Sequence, residues 1–292
     1  MLKAVRRYWA HRAERLLDLP TPDIEEPTFP KLVSQLCTAA QMSETAYLDW
    51  ADFLRCPNET QHRKVWEYAY IMQAFKETMG SVEGKRGLGF GVGQDRLAES
   101  FAALGATVVA TDQAPQKAEE SGWVKTGQYA SNIEALNRMK ICEPELFRQR
   151  VEFRVADMNS VSADLRDFDF VWSACALEHL GSIERGLKFV EESMKCVRPG
   201  GVAVHTTEYN LTSNHKTVDN TSTVLFRRRD LEELKARVER LGCSMAPLNL
   251  HPGTHALDRV VDAPPYKPSP HLRLLMRRYA ITSVGFIIRR LS

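Results

Sequence analysis

Four glycines at alternate positions, Gly87, Gly89, Gly91 and Gly93, are interleaved with Leu88, Phe90 and Val92. Of all the residues in the chain, they are the best arranged to hold a ligand. They precede Gln94-Asp95 and an amphipathic stretch. Where a strand turns into a helix, a run without Cβ atoms lets a ligand rest on bare backbone. The helix start that follows offers free N–H groups and a positive dipole end to a carboxylate or phosphate. Such a loop is often no more than a turn, but here an apolar run, Ala106-Thr-Val-Val-Ala-Thr-Asp112, follows the helix. Its terminal acid stands about twenty residues beyond the loop, where a second parallel strand can present a carboxylate to the two hydroxyls of a ribose. Alone, Asp112 would serve equally well as a helix cap. Together, the loop and the acid point to a nucleoside site.

Such a site needs a parallel sheet to position it, and the sequence supplies one. After Gly80 short apolar runs alternate with amphipathic stretches, the pattern of βαβ units. Strands are expected at Arg86–Phe90, Thr107–Asp112, Val151–Ala156, Phe168–Ser173, Gly201–Glu208, Met245–Leu250 and Ser283–Arg289. Helices are expected at Asp95–Leu104, Ser131–Met139, Ile183–Cys196 and Asp230–Leu241. The fold class is therefore α/β: a doubly wound, mostly parallel seven-stranded sheet with helices on both faces. Ahead of it, Lys31 to about Met79 reads as helical, with Leu32, Leu36, Ala39 and Ala40 on one face and Trp66, Tyr70 and Phe75 on another. The domain division is an N-terminal helical cap over 1–80 and the nucleotide-binding domain over 81–292. A segment rich in Asn, Thr and Ser at 209–225 is suited to be a substrate lid over polar acceptors.

Composition narrows the class of partner. With 39 Lys+Arg against 37 Asp+Glu the chain is nearly neutral, which argues against nucleic acid, whose phosphates need a concentrated basic surface. The basic, amphipathic start, MLKAVRRYWAHRAERLL, could make weak peripheral contact with an anionic membrane, although a solvated helix face is the expected reading. No apolar run approaches the roughly 20 residues needed to cross a bilayer, and no secretory signal is visible. The six cysteines are scattered without a Cys-x-x-Cys pair, so a reducing cytoplasm is expected.

These residues resemble the large family of Rossmann-like (class I) S-adenosylmethionine-dependent methyltransferases. The spacing Gly89-x-Gly91-x-Gly93 is closer to that family's loop than to the longer loop of dinucleotide enzymes. The resemblance continues through Asp112, Val155-Ala-Asp157-Met158, Phe168-Asp-Phe-Val-Trp-Ser173, Leu177-Glu-His-Leu180 and the turn Val197-Arg-Pro-Gly-Gly-Val-Ala-Val204. Gly87 stands where the family often carries an acid. The resemblance implies S-adenosyl-L-methionine as cofactor. The loop of Gly87, Gly89, Phe90, Gly91 and Gly93 would pass under its methionine part, and Asp112, with Gln113 beside it, would hold the ribose. Asp157 would accept from the adenine amino group, Met158 would lie on the ring face, and Ser173 and Ala174 would line the cofactor through their backbone. Trp123 and Gln128 could join this wall, with ordinary packing the simpler role for Trp123.

Methyl transfer from a sulfonium is an in-line displacement, so the protein must chiefly align a nucleophile with the methyl group. A hydroxyl acceptor also needs a base. His179, beside Glu178 just past the fourth strand, is the preferred one, because imidazole accepts a proton near neutrality; the pair could instead anchor the next helix. Some small-molecule O-methyltransferases of the family bind a divalent ion here, but Cys175 breaks that ligand set, so no metal is expected. Strand alternation puts Thr206 and Glu208 on one side of the fifth strand and His205 and Thr207 on the other. Glu208 and His215 are thus rival bases or ligands, and a solvated loop explains His215 equally well. The expected function is transfer of a methyl group to a small-molecule or glycan acceptor, an oxygen of a sugar or other hydroxylated metabolite. The N-terminal helices would cover the pocket or pair two subunits as a homodimer. One alternative is a catalytically weak scaffold of the same fold. Another is a nicotinamide-dependent oxidoreductase, which would need a longer phosphate loop and a Tyr-x-x-x-Lys pair.

Overall fold

Short apolar runs between turn residues pair into a single eleven-stranded sheet in the computed structural model, which describes residues 24–120, 122–126 and 128–292, with only the backbone of Thr126. In chain order the strands are β1 (Ser34–Leu36), β2 (Arg86–Phe90), β3 (Thr107–Asp112), β4 (Val151–Val155), β5 (Phe168–Ala174) and β6 (Val197–Asn210). They are followed by β7 (Cys243–Met245), β8 (Leu248–Asn249), β9 (Val261–Asp262), β10 (Arg273–Met276) and β11 (Tyr279–Arg290). The helices are α1 (Thr45–Phe53), α2 (Arg63–Met79), α3 (Leu97–Ala103), α4 (Pro115–Glu120), α5 (Trp123–Thr126), α6 (Pro144–Arg150), α7 (Ile183–Cys196) and α8 (Arg228–Arg240). The basic N-terminal segment lies outside the described residues.

The sheet runs β4-β3-β2-β5-β6-β11-β1-β8. Strands β2 to β6 are mutually parallel, and β11 joins β6 antiparallel, with Ser283 opposite Glu208. From β2 the chain winds outward to β3 and β4, then returns to place β5 and β6 on the other side. The tips of β2 and β5 therefore flank the point where winding reverses, the place in such sheets where a crevice opens for ligands.

Seven strands were expected and the sheet has eleven. The additions gather at the far edge of β11, which pairs in turn with β10 near Tyr279–Ile281, β1 at Val284–Gly285 and β7 at Ile288–Arg290. Three short strands thus cap one long edge that would otherwise present unpaired N–H and C=O groups. Strand β1 falls inside the region whose pattern reads as helical. The β11 edge recruits it, and Ser34 Oγ donates to the Ala246 carbonyl at 3.0 Å. Arg273, buried, ties the same segment down by donating to the Cys37 carbonyl (2.7 Å) and to Asp258 Oδ1 (3.0 Å), while Asp258 Oδ1 also accepts from Ala39 N.

Helix α7 occupies Ile183–Cys196 as its pattern indicates, with the Ser182 hydroxyl accepting from Arg185 N at its start. The expected helix at Ser131–Met139 is only a 3-10 turn, Ile133–Leu136. Asn132 accepts from Ala135 N, and Glu99 takes Met139 N and Ile141 N. Side chains thus satisfy backbone groups that a helix would have satisfied itself. The sheet separates two cores. Phe170 and Trp172 face α2 and α3, meeting Phe75 and Phe101, whereas Phe90, Val171 and Ala203 face α7 and its Phe189.

Candidate active site

The glycine loop has two different jobs along its length. Gly87 and Gly89 lie within β2, and a Cβ there would strike the rings of Phe170 and Trp172 at 2.3 and 2.4 Å. Their missing side chains make room for β5 aromatics, and the Phe90 ring is buried against Phe189. Gly91 and Gly93 have φ of +57° and +52°, a region L side chains rarely enter. A Cβ on Gly91 would come 2.8 Å from Ala176 Cβ and 3.0 Å from Met158 Sδ, and one on Gly93 would lie 2.3 Å from the Gln128 carbonyl oxygen. Both positions therefore admit only glycine, for their backbone conformation and for the close approach of Ala176, Met158 and Gln128.

Asp112 clasps this loop from the tip of β3. Its Oδ2 accepts from Gly93 N (3.0 Å) and Ala130 N (3.4 Å), and its Oδ1 accepts from Gln113 N (2.8 Å). Burial raises its pKa, partly offset by these three N–H donors. The Tyr129 hydroxyl closes the same turn by donating to the Gln113 carbonyl. Across the crevice Asp157, half-buried, receives Lys117 Nζ at 2.6 Å, which holds its carboxyl below the usual range. Met158 is buried over Gly91. At the β5 tip Ala174 is half-buried, while the Ser173 hydroxyl turns into the core, 2.8 Å from His205 Nδ1. Grouped here are a Cβ-free turn, a carboxylate at the tip of β3 that holds it, and a further acid with an apolar neighbour just past β4.

A second polar group lies where β5, β6 and β11 end. Glu178 is fully buried; its Oε2 accepts from the Thr207 hydroxyl at 3.0 Å and its Oε1 has no partner. Glu208 is buried too, with Oε1 held by Arg63 Nη2 at 2.5 Å and Oε2 unpartnered. Burial, together with the nearby Glu178 and Glu67 and against the pull of Arg63, pushes Glu208 up to about 7. Arg63 also donates to Glu67 (3.2 Å) and Ser283 Oγ (3.0 Å), and Lys64 Nζ sits 2.7 Å from Glu67. Cys175, at φ +48°, donates its N–H to the Thr206 carbonyl, and burial and nearby carboxylates push its thiol far up.

His179 joins this group to its cover. Its Nδ1 lies 2.9 Å from the Ser222 carbonyl and 3.2 Å from Thr223 Oγ1, its ring packs edge-on against Trp123, and its Nε2 is 3.9 Å from Glu178 Oε1. Val224 N donates to the Glu178 carbonyl and Phe226 N to the Glu208 carbonyl, so the backbone at 224–226 is tied to that of both acids. His215 is exposed. His205 faces the opposite side of β6, buried between Phe189 and Phe286 and bonded to Ser173 and Ser193; burial lowers its pKa to about 3. The alternation read along β6 separates Glu208 from His205 accordingly.

Arg63, Lys64 and Glu67 were absent from the sequence reading of the site. Their trace in the sequence is faint: Arg63 and Glu67 stand four apart on a helix whose intervening positions hold Val65 and Trp66. Only the packing of α2 on β6 and β11 turns that spacing into a pair facing Glu208.

Residues 88–205, from β2 into β6, match the family model described as a methyltransferase domain. Comparison with curated proteins finds no match. Solved structures similar to this chain include DhpI in complex with SAH, at 17% identity and a TM-score of 0.43, covering 85% of this chain and 99% of that one. Another is an S-adenosylmethionine-dependent methyltransferase from Mesorhizobium loti, at 13% identity and a TM-score of 0.44, covering 74% of this chain and 96% of that one. A third, from Clostridium acetobutylicum, has 11% identity and a TM-score of 0.43, and covers 84% of this chain and 92% of that one.

Proposed function

Because residues 88–205 carry a methyltransferase domain of the Rossmann-like, S-adenosylmethionine-dependent kind, we propose that the chain methylates a small polar acceptor, at an oxygen of a sugar or other hydroxylated metabolite. The observation that carries this reading is the clasp of Asp112 on Gly93, together with a buried polar cluster at the tips of β5 and β6. S-adenosylmethionine supplies the methyl group when bound. Gly91 and Gly93 offer it bare backbone, Asp112 is placed for its ribose, and Asp157 and Met158 flank the adenine position.

His179 is the base in this reading. If its Nδ1–H donates to the Ser222 carbonyl, the Nε2 lone pair is left free to take a proton from an acceptor hydroxyl. Glu178 and Glu208 shape the floor beside it. The 209–225 segment acts as the lid of the nucleotide-binding domain, and α1 and α2 are the described part of the helical cap. The acceptor is a small molecule or glycan, the setting is the cytoplasm, and the cap is the surface through which two copies would pair. The six cysteines are free, which fits a reducing compartment. No helix among the described residues is long and apolar enough to cross a membrane.

Calorimetric titration with S-adenosylhomocysteine tests the core of this reading. Saturable binding is expected for the parent and a loss of affinity for Asp112→Ala. No binding by the parent, or an Asp112→Ala variant that binds equally well, overturns it. Transfer of a labelled methyl group into a small-molecule extract, with fragmentation mass spectrometry of the labelled product, then identifies the acceptor atom.

A further inference from the structure

We propose that the acceptor is an amine as well as an alcohol, with its ammonium group seated between Glu178 and Glu208; this rests on the reading of the pocket as a methyl-transfer site.

This cluster holds more carboxyl groups than cations to pair with them. Glu67, Glu178 and Glu208 contribute three carboxylates, and Arg63 and Lys64 contribute two cations. Glu67 is matched by both cations, and one oxygen of Glu208 is matched by Arg63. Glu178 Oε1 and Glu208 Oε2 have no donor, although the two residues are 0% and 6% exposed. A buried carboxylate oxygen without a donor is costly, which is why such atoms in folded proteins are almost always paired. Donor atoms of Glu178, Glu208 and Cys175 lie within 4.8 Å of one another, so one small group can reach both carboxylates at once.

That group should carry one positive charge and several N–H donors. An ammonium meets this description, with three donors on a compact charge. A divalent metal suits the site less well. The Arg63 guanidinium already sits 2.5 Å from Glu208 and would repel a dication, and the third donor is a thiol that burial keeps protonated. The remaining nearby cation in its charged form, His179, has Nε2 3.9 Å from Glu178, beyond hydrogen-bond reach, and must stay neutral to act as a base. An acceptor anchored by its ammonium on the two glutamates would present a neighbouring hydroxyl toward His179, which defines the class as amino alcohols and amino sugars.

Thermal unfolding of the full chain tests this with 2-aminoethanol hydrochloride as probe. Sodium chloride at equal ionic strength and ethylene glycol serve as controls, magnesium and zinc chlorides are run separately, and S-adenosylhomocysteine binding is measured alongside. The ammonium should raise Tm by a few degrees where the controls do not, and Glu178→Gln and Glu208→Gln should each abolish the shift. With no probe present, Glu178→Gln should melt at or above the parent, because it removes an uncompensated buried charge. The proposal fails if 2-aminoethanol matches sodium chloride, if only the divalent ions stabilise, if the shift survives in both variants, or if both variants lose the fold. An ammonium shift without S-adenosylhomocysteine binding would sink the methyl-transfer reading alone, whereas binding without the shift would sink the cation seat alone.

Discussion

Arg63 Nη2 lies 2.5 Å from Glu208 Oε1, so a helix that precedes the glycine loop reaches a strand end 145 residues further along the chain. The same guanidinium donates to Glu67 and Ser283, which makes it a shared hydrogen-bond donor to α2, β6 and β11. A buried arginine so placed sets the position of Glu208 and limits how much negative charge the pocket floor can hold.

Removing that guanidinium should be severe. Arg63→Met leaves Glu208 uncompensated and Glu67 with Lys64 alone, and breaking one side of a buried pair costs about 3–5 kcal/mol. Urea unfolding should show a loss of that order. Adding Glu208→Gln to Arg63→Met should recover part of it, since the stranded charge is then gone.

Stability should depend on pH through the same acid. Glu208 is pushed up to about 7, above its ordinary 4.5. A raised carboxylate contributes stability that is complete below pH 4.5 and lost as pH rises through about 7. Asp95, also raised to about 7 by burial, acts in the same direction. Denaturant midpoints measured across this range should fall toward alkaline pH, and Glu208→Gln should flatten the slope without abolishing it.

His205 should behave in the opposite way. Its folded pKa is lowered to about 3 by burial, so its contribution is present above the ordinary 6.5 and lost as pH falls toward 3. Its ring resonances should therefore show no titration between roughly pH 8 and 5.

Gly93→Ala places a methyl group 2.3 Å from the Gln128 carbonyl at a residue with φ of +52°. Left-handed backbone alone costs an L side chain roughly 1–2 kcal/mol, and this backbone contact cannot be relieved by a rotamer change. A fall in Tm together with weakened S-adenosylhomocysteine binding is expected. The substitution should also disturb the Gly93–Asp112 hydrogen bond, so Gln128 and Ala130 amides should lose protection from hydrogen exchange.

His179→Asn separates base from lid anchor. Asparagine can still meet the Ser222 carbonyl but offers no lone pair of comparable basicity where Nε2 stands. Turnover should drop by about 10²–10⁴-fold, with S-adenosylhomocysteine affinity unchanged. Equal loss of both would mean that His179 serves only to hold the 209–225 segment.

What could be read from the sequence differs from element to element. Strands β2, β3 and β5 and helix α7 were legible because each carries its signal within its own span: an apolar run bounded by turn residues, or a 3.6-residue period behind a serine cap. Asp112 was legible as well, because its distance from the loop is set by one strand-helix-strand unit. The Ser131–Met139 stretch misled, since its apolar spacing is helical but Asn132 and Glu99 take the backbone donors. Gly87 and Gly89 belong to the right motif, yet their neighbours are Phe170 and Trp172 rings, which no local pattern reveals.

By itself, then, the sequence determined the class of sheet, the glycine turn and the acids at successive strand tips, because these depend on contacts within about thirty residues, the length of one such unit. The tertiary structure alone decided that β1 joins the β11 edge, that Arg63 faces Glu208, and that two glutamate oxygens remain unpartnered in the floor. Such contacts join segments far apart in the chain. They arise only when elements with no shared period pack together, and they leave no pattern in the sequence of either element.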